Sequence, residues 1–415
     1  MKIYTTITAP FIIAALMVVI QGCKYDVAEP LWDKPISATT PVITNVIPVN
    51  GALAGVNTIT IQGLAFSDSL SDMTVYFDNT STEIVSTSNS SIVVRRPNIF
   101  NPTALVRVIS SKAFVAARIS PYRVDQVFQK YGSFVDNVIL SAVCFDNDTM
   151  YVTEANSPYY WFKIRPNGYQ TRDSLIGSAR RIPTDIRIRN GTMYWLGNNR
   201  EILQVNLNTK ITSRWTQTQT GKPVKFGDFG QNNYFYTGGT NTDLCIIPPN
   251  PPIAITATLA GAYQAEDILA VRVFNGYVYV ASRTVAGAPA KIYKQLIGTG
   301  ASLGGRELVL DMSATAFNSR LIRALSFSSS GTMYITTDAI NPLLVFDGNT
   351  LDYFYKEIIT HEVGSTTSYW FGKQAYWGNN NYLYIIGNDP NTNASATDAW
   401  NILRIDMGTT GAPYY

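Results

Sequence analysis

Histidine is almost absent from this chain, with a single residue, His361, among 415. That scarcity leaves almost no material for His-based metal centres or Ser–His–Asp triads, both of which need imidazole as ligand or base. His361 itself, in "IITHEVGS", reads as a surface residue. Cysteine is scarce too, with three in all, and no close Cys pair, Gly-rich phosphate loop or His-Glu-x-x-His motif is present. Charged residues are only 15% and the formal net charge is +3, with no Lys/Arg block. A nucleic-acid partner is therefore not expected, and the pairs Arg95–Arg96 and Arg180–Arg181 read as solvated faces. Long apolar runs are missing apart from one of 12 residues, Ala9 to Ile20, which is too short to span a bilayer.

That run has the form of a targeting segment, with Lys2 before it and "IQGC" after it. The ending resembles the bacterial lipobox, which implies that residues 1–22 are removed and that Cys23 carries lipid as the mature N-terminus. Acyl chains on one residue would hold the protein at a membrane without a spanning helix. Asp26 and Glu29 follow in "KYDVAEP", resembling the Bacteroidota signal for display on the outer cell face. Residues 23–40 then read as the lipidated Cys and a Pro-rich tether.

What the chain has in quantity is aromatic residues (25 Tyr, 18 Phe and 7 Trp) and short alternating runs. "PVITNVIPVNGALAGVNTITIQGLAF" from Pro41 alternates Thr58 and Thr60 with Ile59 and Ile61, the pattern of a half-buried strand. "MTVYFD" (73–78), "TEIVST" (82–87), "SSIVVRRP" (90–97) and "ALVRVIS" (104–110) continue it, which predicts an all-β sandwich over 41–121. With Pro48, Gly51, Gly55 and the strand-turn "ITIQGLAF", this stretch resembles the IPT/TIG immunoglobulin-like domain. Such domains serve mostly as spacers or interaction modules.

Beyond it a phrase recurs: "DTMYVT", "GTMYWL", "NYFYTG", "GYVYVA", "GTMYIT" and "NYLYII". Aligned on Tyr151, Tyr194, Tyr236, Tyr279, Tyr334 and Tyr384, the copies stand 43, 42, 43, 55 and 50 residues apart. A period near 40–50 residues built from short strands predicts a six-bladed β-propeller over 122–415, and the assembly resembles NHL-type propellers. Asn, Asp or Gly before each copy supplies the positive φ of a tight hairpin. The following Met, Val, Leu or Phe and the Tyr point to opposite faces, both of which pack on neighbouring blades. Five units carry a fourth, outer strand, but the sixth stops after "NILRIDMGTTGAPYY". The segment 122–132, "YRVDQVFQKYG", has no unit of its own and is expected to complete the last blade. Cys144 and Cys245 fall in non-adjacent units, too far apart to bridge, and read as buried small hydrophobes.

The loops between second and third strands, and those leading into each first strand, are expected to share a face. Candidate ligand-binding residues on it are Tyr159, Tyr160, Asn198, Arg200, Tyr263, Arg283, Asp338, Tyr369, Trp370, Asn388, Asp389 and Trp400, with Asn199 beside them. Aromatic rings next to amides and charges suit neutral sugars, whose C–H faces stack while their hydroxyls bond at the edge. Glu266 and Asp267 could serve as acid and base or bind Ca²⁺, but neighbours on one strand point opposite ways. No catalytic residue, metal site or cofactor is expected.

Lipid anchor, sandwich spacer and propeller together resemble accessory surface lipoproteins of Bacteroidota glycan-uptake systems. The resemblance implies non-catalytic capture of an extracellular poly- or oligosaccharide beside an outer-membrane transporter. A protein–protein scaffold in an envelope complex is the alternative, and a propeller lactonase or lyase comes third.

Overall fold

The computed structural model describes residues 39–134, 138–155, 160–176, 181–251, 258–339, 341–356, 371–378, 380–388 and 402–415, with 371–373 and 388 as backbone only. The protein is all-β. Among the described residues no helix is long and apolar enough to cross a membrane.

The N-terminal part is a sandwich of two antiparallel four-stranded sheets. One runs in the order Val42–Ile47, Thr58–Leu64, Ser91–Arg95, Ile84–Ser88, and the other Thr80–Thr82, Met73–Phe77, Asn101–Ser110, Ala117–Val124. Alternation sends Ile59, Ile61, Val75, Phe77, Ile92, Val94, Val106 and Val108 into one core, because successive side chains of a strand leave opposite faces.

Six further four-stranded antiparallel sheets follow. Their first strands are Leu140–Asp146, Asp185–Arg189, Phe226–Phe229, Asp267–Phe274, Ile322–Phe327 and Phe371–Trp377. Each of these packs on the first strand of the next sheet, and the sixth packs back on the first, so they surround a common axis. The first five sheets are built in simple sequence order. The sixth takes its outer strand from far upstream: Phe128–Lys130 pairs antiparallel with Ile402–Asp406. This covers an edge that would otherwise offer unpaired backbone groups.

The recurrent phrase forms the second strand of every sheet. Met150, Met193, Phe235, Val278, Met333 and Leu383 are all buried on one face, and Tyr151, Tyr236, Tyr334 and Tyr384 are buried on the other. In the second sheet the hairpin turns on Asn190 and Gly191, with φ of 49° and 70°. Both central residues of this turn type need positive φ, which Asn and Gly tolerate best. Cys144 and Cys245 are unpaired and buried.

Two features depend on contacts between distant parts of the chain. First, segment 409–415 turns into the axis from the side carrying the first hairpin of each sheet. The Ala412 amide donates to the Phe327 carbonyl at 2.8 Å, and Tyr414 stacks on Tyr376 with centroids 3.9 Å apart. Second, the sandwich docks on the fifth and sixth sheets. The Gly55 amide donates to the Tyr355 hydroxyl at 2.6 Å, and that hydroxyl donates to the Asp406 carbonyl at 3.2 Å. Arg95 forms a bidentate pair with Asp352 at 2.9 and 3.0 Å, and Lys356 pairs with Glu83. Here the reading of Arg95–Arg96 as a solvated face is corrected. Arg96 is buried and donates to the Leu53 carbonyl at 2.7 Å and to the Asp125 carbonyl, bracing the sandwich loops.

Candidate functional site

The first strands bring polar side chains to the axis. Asp185 and Arg187 are two residues apart on one strand and so share a face. Asp228, Arg272 and Gln374 come from the third, fourth and sixth sheets, and all five side chains are buried. Arg187 donates to Asp185 at 2.5 Å and to Asp228 at 3.2 Å, and Arg272 donates to Asp228 at 2.7 Å. Gln374 donates to Asp185 and accepts from the Val143 amide at 2.6 Å, which links sheets one, two and six. Asp185 also accepts from the amides of Ile186 and Gly227 at 3.0 and 3.1 Å. Two carboxylates thus balance two guanidiniums, the condition under which buried charges are tolerated.

Burial pushes the Asp185 carboxyl up to about 6 against the pull of Arg187, so it remains ionised at neutral pH. Burial also disfavours the charge on Arg187, but Asp185 and Asp228 outweigh it and hold the guanidinium above its ordinary value. Arg272 lies over the Tyr414 ring at 3.6 Å and donates to the Pro413 carbonyl at 2.8 Å, so the network also holds the axial segment.

On the opposite side of the ring a cavity opens above this network. Its lining includes Asp185, Arg187, Phe226, Arg323, Gln374 and Tyr414. Arg323 of sheet five lines it, and Lys225 of sheet three lies close enough to Arg323 and to Arg283 of sheet four to feel their charge. Arg283 faces Asp267 at 3.5 Å and Arg323 faces Asp338 at 3.7 Å. The carboxylates are themselves held by backbone: the Asn241 amide donates to Asp267 at 3.0 Å, and the Leu321 amide to Asp338 at 2.9 Å. Burial, reinforced by Arg283 and Arg323 and opposed by Asp267, lowers the Lys225 ammonium below the usual lysine range.

The residues singled out from sequence are distributed unevenly over this face. Arg283 and Asp338 each stand opposite a charged partner, Asp267 and Arg323 respectively. Asn198 is exposed with φ of 53°, and Arg200 is half-buried and donates to the Thr220 hydroxyl at 3.2 Å. Tyr160 is half-buried under the Arg172 guanidinium, 3.8 Å from its ring centre, while Arg172 clamps the buried Glu154 at 2.7 and 2.9 Å. Tyr263 does not present its ring to a ligand. It is fully buried, with Tyr293 packed beside it and Arg306 over it at 5.1 Å. Asn388 ends the strand Tyr382–Asn388 as backbone. Tyr159, Tyr369, Trp370, Asp389 and Trp400 lie outside the described residues, as do Cys23 and His361.

Glu266 and Asp267 part company as alternation requires. Glu266 binds Arg306 at 2.8 Å and Ser282 at 2.6 Å, while Asp267 faces Arg283. Among the described residues no group of three or more His, Cys, Asp or Glu side chains is placed to hold a metal ion.

The axial residues Asp185, Arg187, Asp228, Arg272 and Gln374, and also Lys225 and Arg323, were not among the sequence candidates. Their signal was present: "DIRIR" and "AVRVF" place charges inside strands that are otherwise buried on both faces. Such charges must pair or line a cavity.

Several known proteins are similar to parts of this chain. Residues 41–117 match the IPT/TIG domain family. Over 69 residues the chain is 44% identical to a cyclomaltodextrin glucanotransferase of Bacillus sp. (strain 1-1), a match spanning 17% of this chain and only 9% of that enzyme. Among solved structures, the luciferin-regenerating enzyme shares the fold at a TM-score of 0.50 and 9% identity, covering 69% of this chain and 98% of that one. An auxiliary nutrient binding protein from Bacteroides ovatus ATCC 8483 aligns at a TM-score of 0.46 and 10% identity, over 88% and 98% of the two chains. One from Bacteroides thetaiotaomicron VPI-5482 aligns at 0.47 and 12%, over 88% and 97%.

Proposed function

We propose that this protein is a surface lipoprotein that captures an extracellular glycan without transforming it. In this reading Cys23 carries the lipid, residues 23–40 are the tether, 41–121 the IPT/TIG domain and 122–415 a six-bladed NHL-like propeller. An outer-membrane transporter or another envelope protein would receive the glycan. One observation carries the binding role: the axis is closed on the hairpin side by Tyr414, and the loop side presents Asp185, Arg187, Arg323 and Gln374 around an opening of only about 10 Å³. An axis closed in this way excludes threading of a chain and leaves its loop-side surface for contact with a ligand. Asp185 and Asp228, the carboxylates of the axial network, are taken up by guanidinium and amide donors, which supports binding over acid–base chemistry.

Affinity electrophoresis against a panel of polysaccharides tests the proposal, with Trp370→Ala and Trp400→Ala as companions. Retardation by at least one glycan, reduced in a companion variant, is the expected outcome. Free migration through every gel would refute it.

A second reading has its own support. Phe100 and Phe114 on the sandwich are 62% and 81% exposed, and large exposed apolar side chains favour a protein contact. Co-purification from detergent-solubilised outer membrane tests this scaffold role, which fails if the protein comes away alone.

A further inference from the structure

The two longest ion pairs among the described residues are Arg283–Asp267 at 3.5 Å and Arg323–Asp338 at 3.7 Å, and Arg323 lines the small opening at the axis. Other guanidinium–carboxylate pairs of the described residues are shorter, with 3.3 Å in Arg95–Glu83, 2.8 Å in Arg306–Glu266 and 2.7 Å in Arg172–Glu154. The two long pairs are not hydrogen-bonded, and the Nε atoms of Arg283 and Arg323 are buried without an acceptor. Lys225 is half-buried beside them, and its carboxylate neighbour, Asp267, already faces Arg283 and accepts from a backbone amide. Among the described residues three cations therefore stand against two carboxylates here, with N–H donors to spare on all three.

Donors arranged this way, converging from three successive sheets, have the chemistry of an oxyanion clamp. Guanidinium forks suit planar or tetrahedral oxyanions, and a lysine supplies a point charge beside them. The axial network beneath is balanced, so among the described residues the excess positive charge lies with these three side chains. We propose that Lys225, Arg283 and Arg323 recognise an anionic substituent of the ligand, a carboxylate or a sulfate ester, at the opening of the axial cavity. This inference rests on the glycan reading for the identity of the ligand, and it narrows that ligand to acidic polysaccharides. Asp267 and Asp338 hold the guanidiniums in place and set the excess at a single charge. A monoanionic group on each bound residue is thus favoured over a cluster of charges.

Burial chiefly lowers the Lys225 pKa, and Arg283 and Arg323 add to it against the pull of Asp267. A bound oxyanion would relieve that repulsion.

The test uses the full chain and its Arg323→Gln, Lys225→Gln and Arg323→Lys variants. Binding is measured to polygalacturonate, to a sulfated galactan and to a neutral glucan, and to free galacturonate and inorganic sulfate against chloride at equal ionic strength. The wild type should bind one acidic polymer and its free anion. Binding should weaken about tenfold or more in each Gln variant, the scale for a lost charged hydrogen bond, with partial retention in Arg323→Lys. Which polymer binds separates carboxylate from sulfate. Binding of the free anion that is lost in Arg323→Gln supports the clamp even if no polymer binds. Binding of the neutral glucan alone, unchanged in all variants, overturns the clamp and leaves the glycan reading standing. If no polymer and neither free anion binds, both fall.

Discussion

The guanidinium of Arg272 lies 3.6 Å from the centre of the Tyr414 ring, and the same guanidinium reaches Asp228 at 2.7 Å. One side chain from the fourth sheet thus fastens the axial segment 409–415 to a carboxylate of the third. The other face of the Tyr414 environment is Tyr376 of the sixth sheet, stacked at 14° between ring planes. Tyr414 therefore acts as a hub among sheets that are far apart in sequence.

Replacing Tyr414 by Ala should cost roughly 2–4 kcal/mol, from lost ring packing and the cation–π contact. Tyr414→Phe keeps both and should cost less than about 1 kcal/mol. Urea unfolding of the two variants measures the difference. Equal midpoints for Tyr414→Ala and the wild type would mean that the axial segment contributes nothing.

The pH dependence of stability should carry the signature of Asp185. Its folded-state pKa is pushed up to about 6 from an ordinary 3.8 by burial. The folded protein then holds this proton more tightly than the unfolded chain does. The stability linked to it is fully present below about pH 4 and is lost as pH rises to about 6. Relative to Asp185→Asn, the wild type should lose on the order of 3 kcal/mol over that window and show no further change above it. A difference that grows with rising pH would mean that Arg187 dominates and depresses the pKa instead.

Gln374 joins the sheets at the ends of the ring through the Val143 amide and Asp185. Gln374→Leu leaves that amide without its acceptor, which should cost about 1–3 kcal/mol. Hydrogen exchange offers a local readout, because the Val143 amide should lose protection more than amides in the fourth sheet. Uniform loss across all sheets would count against a specific role in closure.

The sandwich should behave as docked rather than swinging. Gly408 has φ of +67°, and a Cβ there would meet the Ala54 carbonyl at 2.2 Å. Gly408→Ala should therefore open the contact, exposing the 51–57 loop to protease and enlarging the particle in small-angle scattering. A double-mutant cycle on Arg95 and Asp352 should give a coupling of about 1 kcal/mol, since the pair is bidentate but partly exposed. Unchanged cleavage and scattering in Gly408→Ala would mean that the two parts do not depend on this approach.

Much of the architecture was legible before any coordinates. The six tyrosines of the repeated phrase each lie in the second strand of a sheet, and Asn190–Gly191 forms the turn its chemistry suggests. The alternation around Ile59 and Ile61 marks a sandwich strand with both side chains inside. The site was less legible. Arg283 and Asp338 were singled out as isolated loop residues, while their partners Asp267 and Arg323 went unpaired because they lie on other strands. The sequence offers Tyr263 as a ligand-binding ring, yet it is buried beneath Arg306.

Local chemistry determined the strands, the hairpins and their period, because side-chain alternation and φ preferences act over a few residues and need no distant partner. Tertiary structure alone decided which charges neutralise one another. Arg187 meets Asp228, Arg272 meets the same Asp228 and Arg95 meets Asp352, across separations of 41, 44 and 257 residues. Coulomb energy and desolvation depend on distance and burial in space. Bringing the first strands together around one axis is what turned scattered arginines and aspartates into a balanced network.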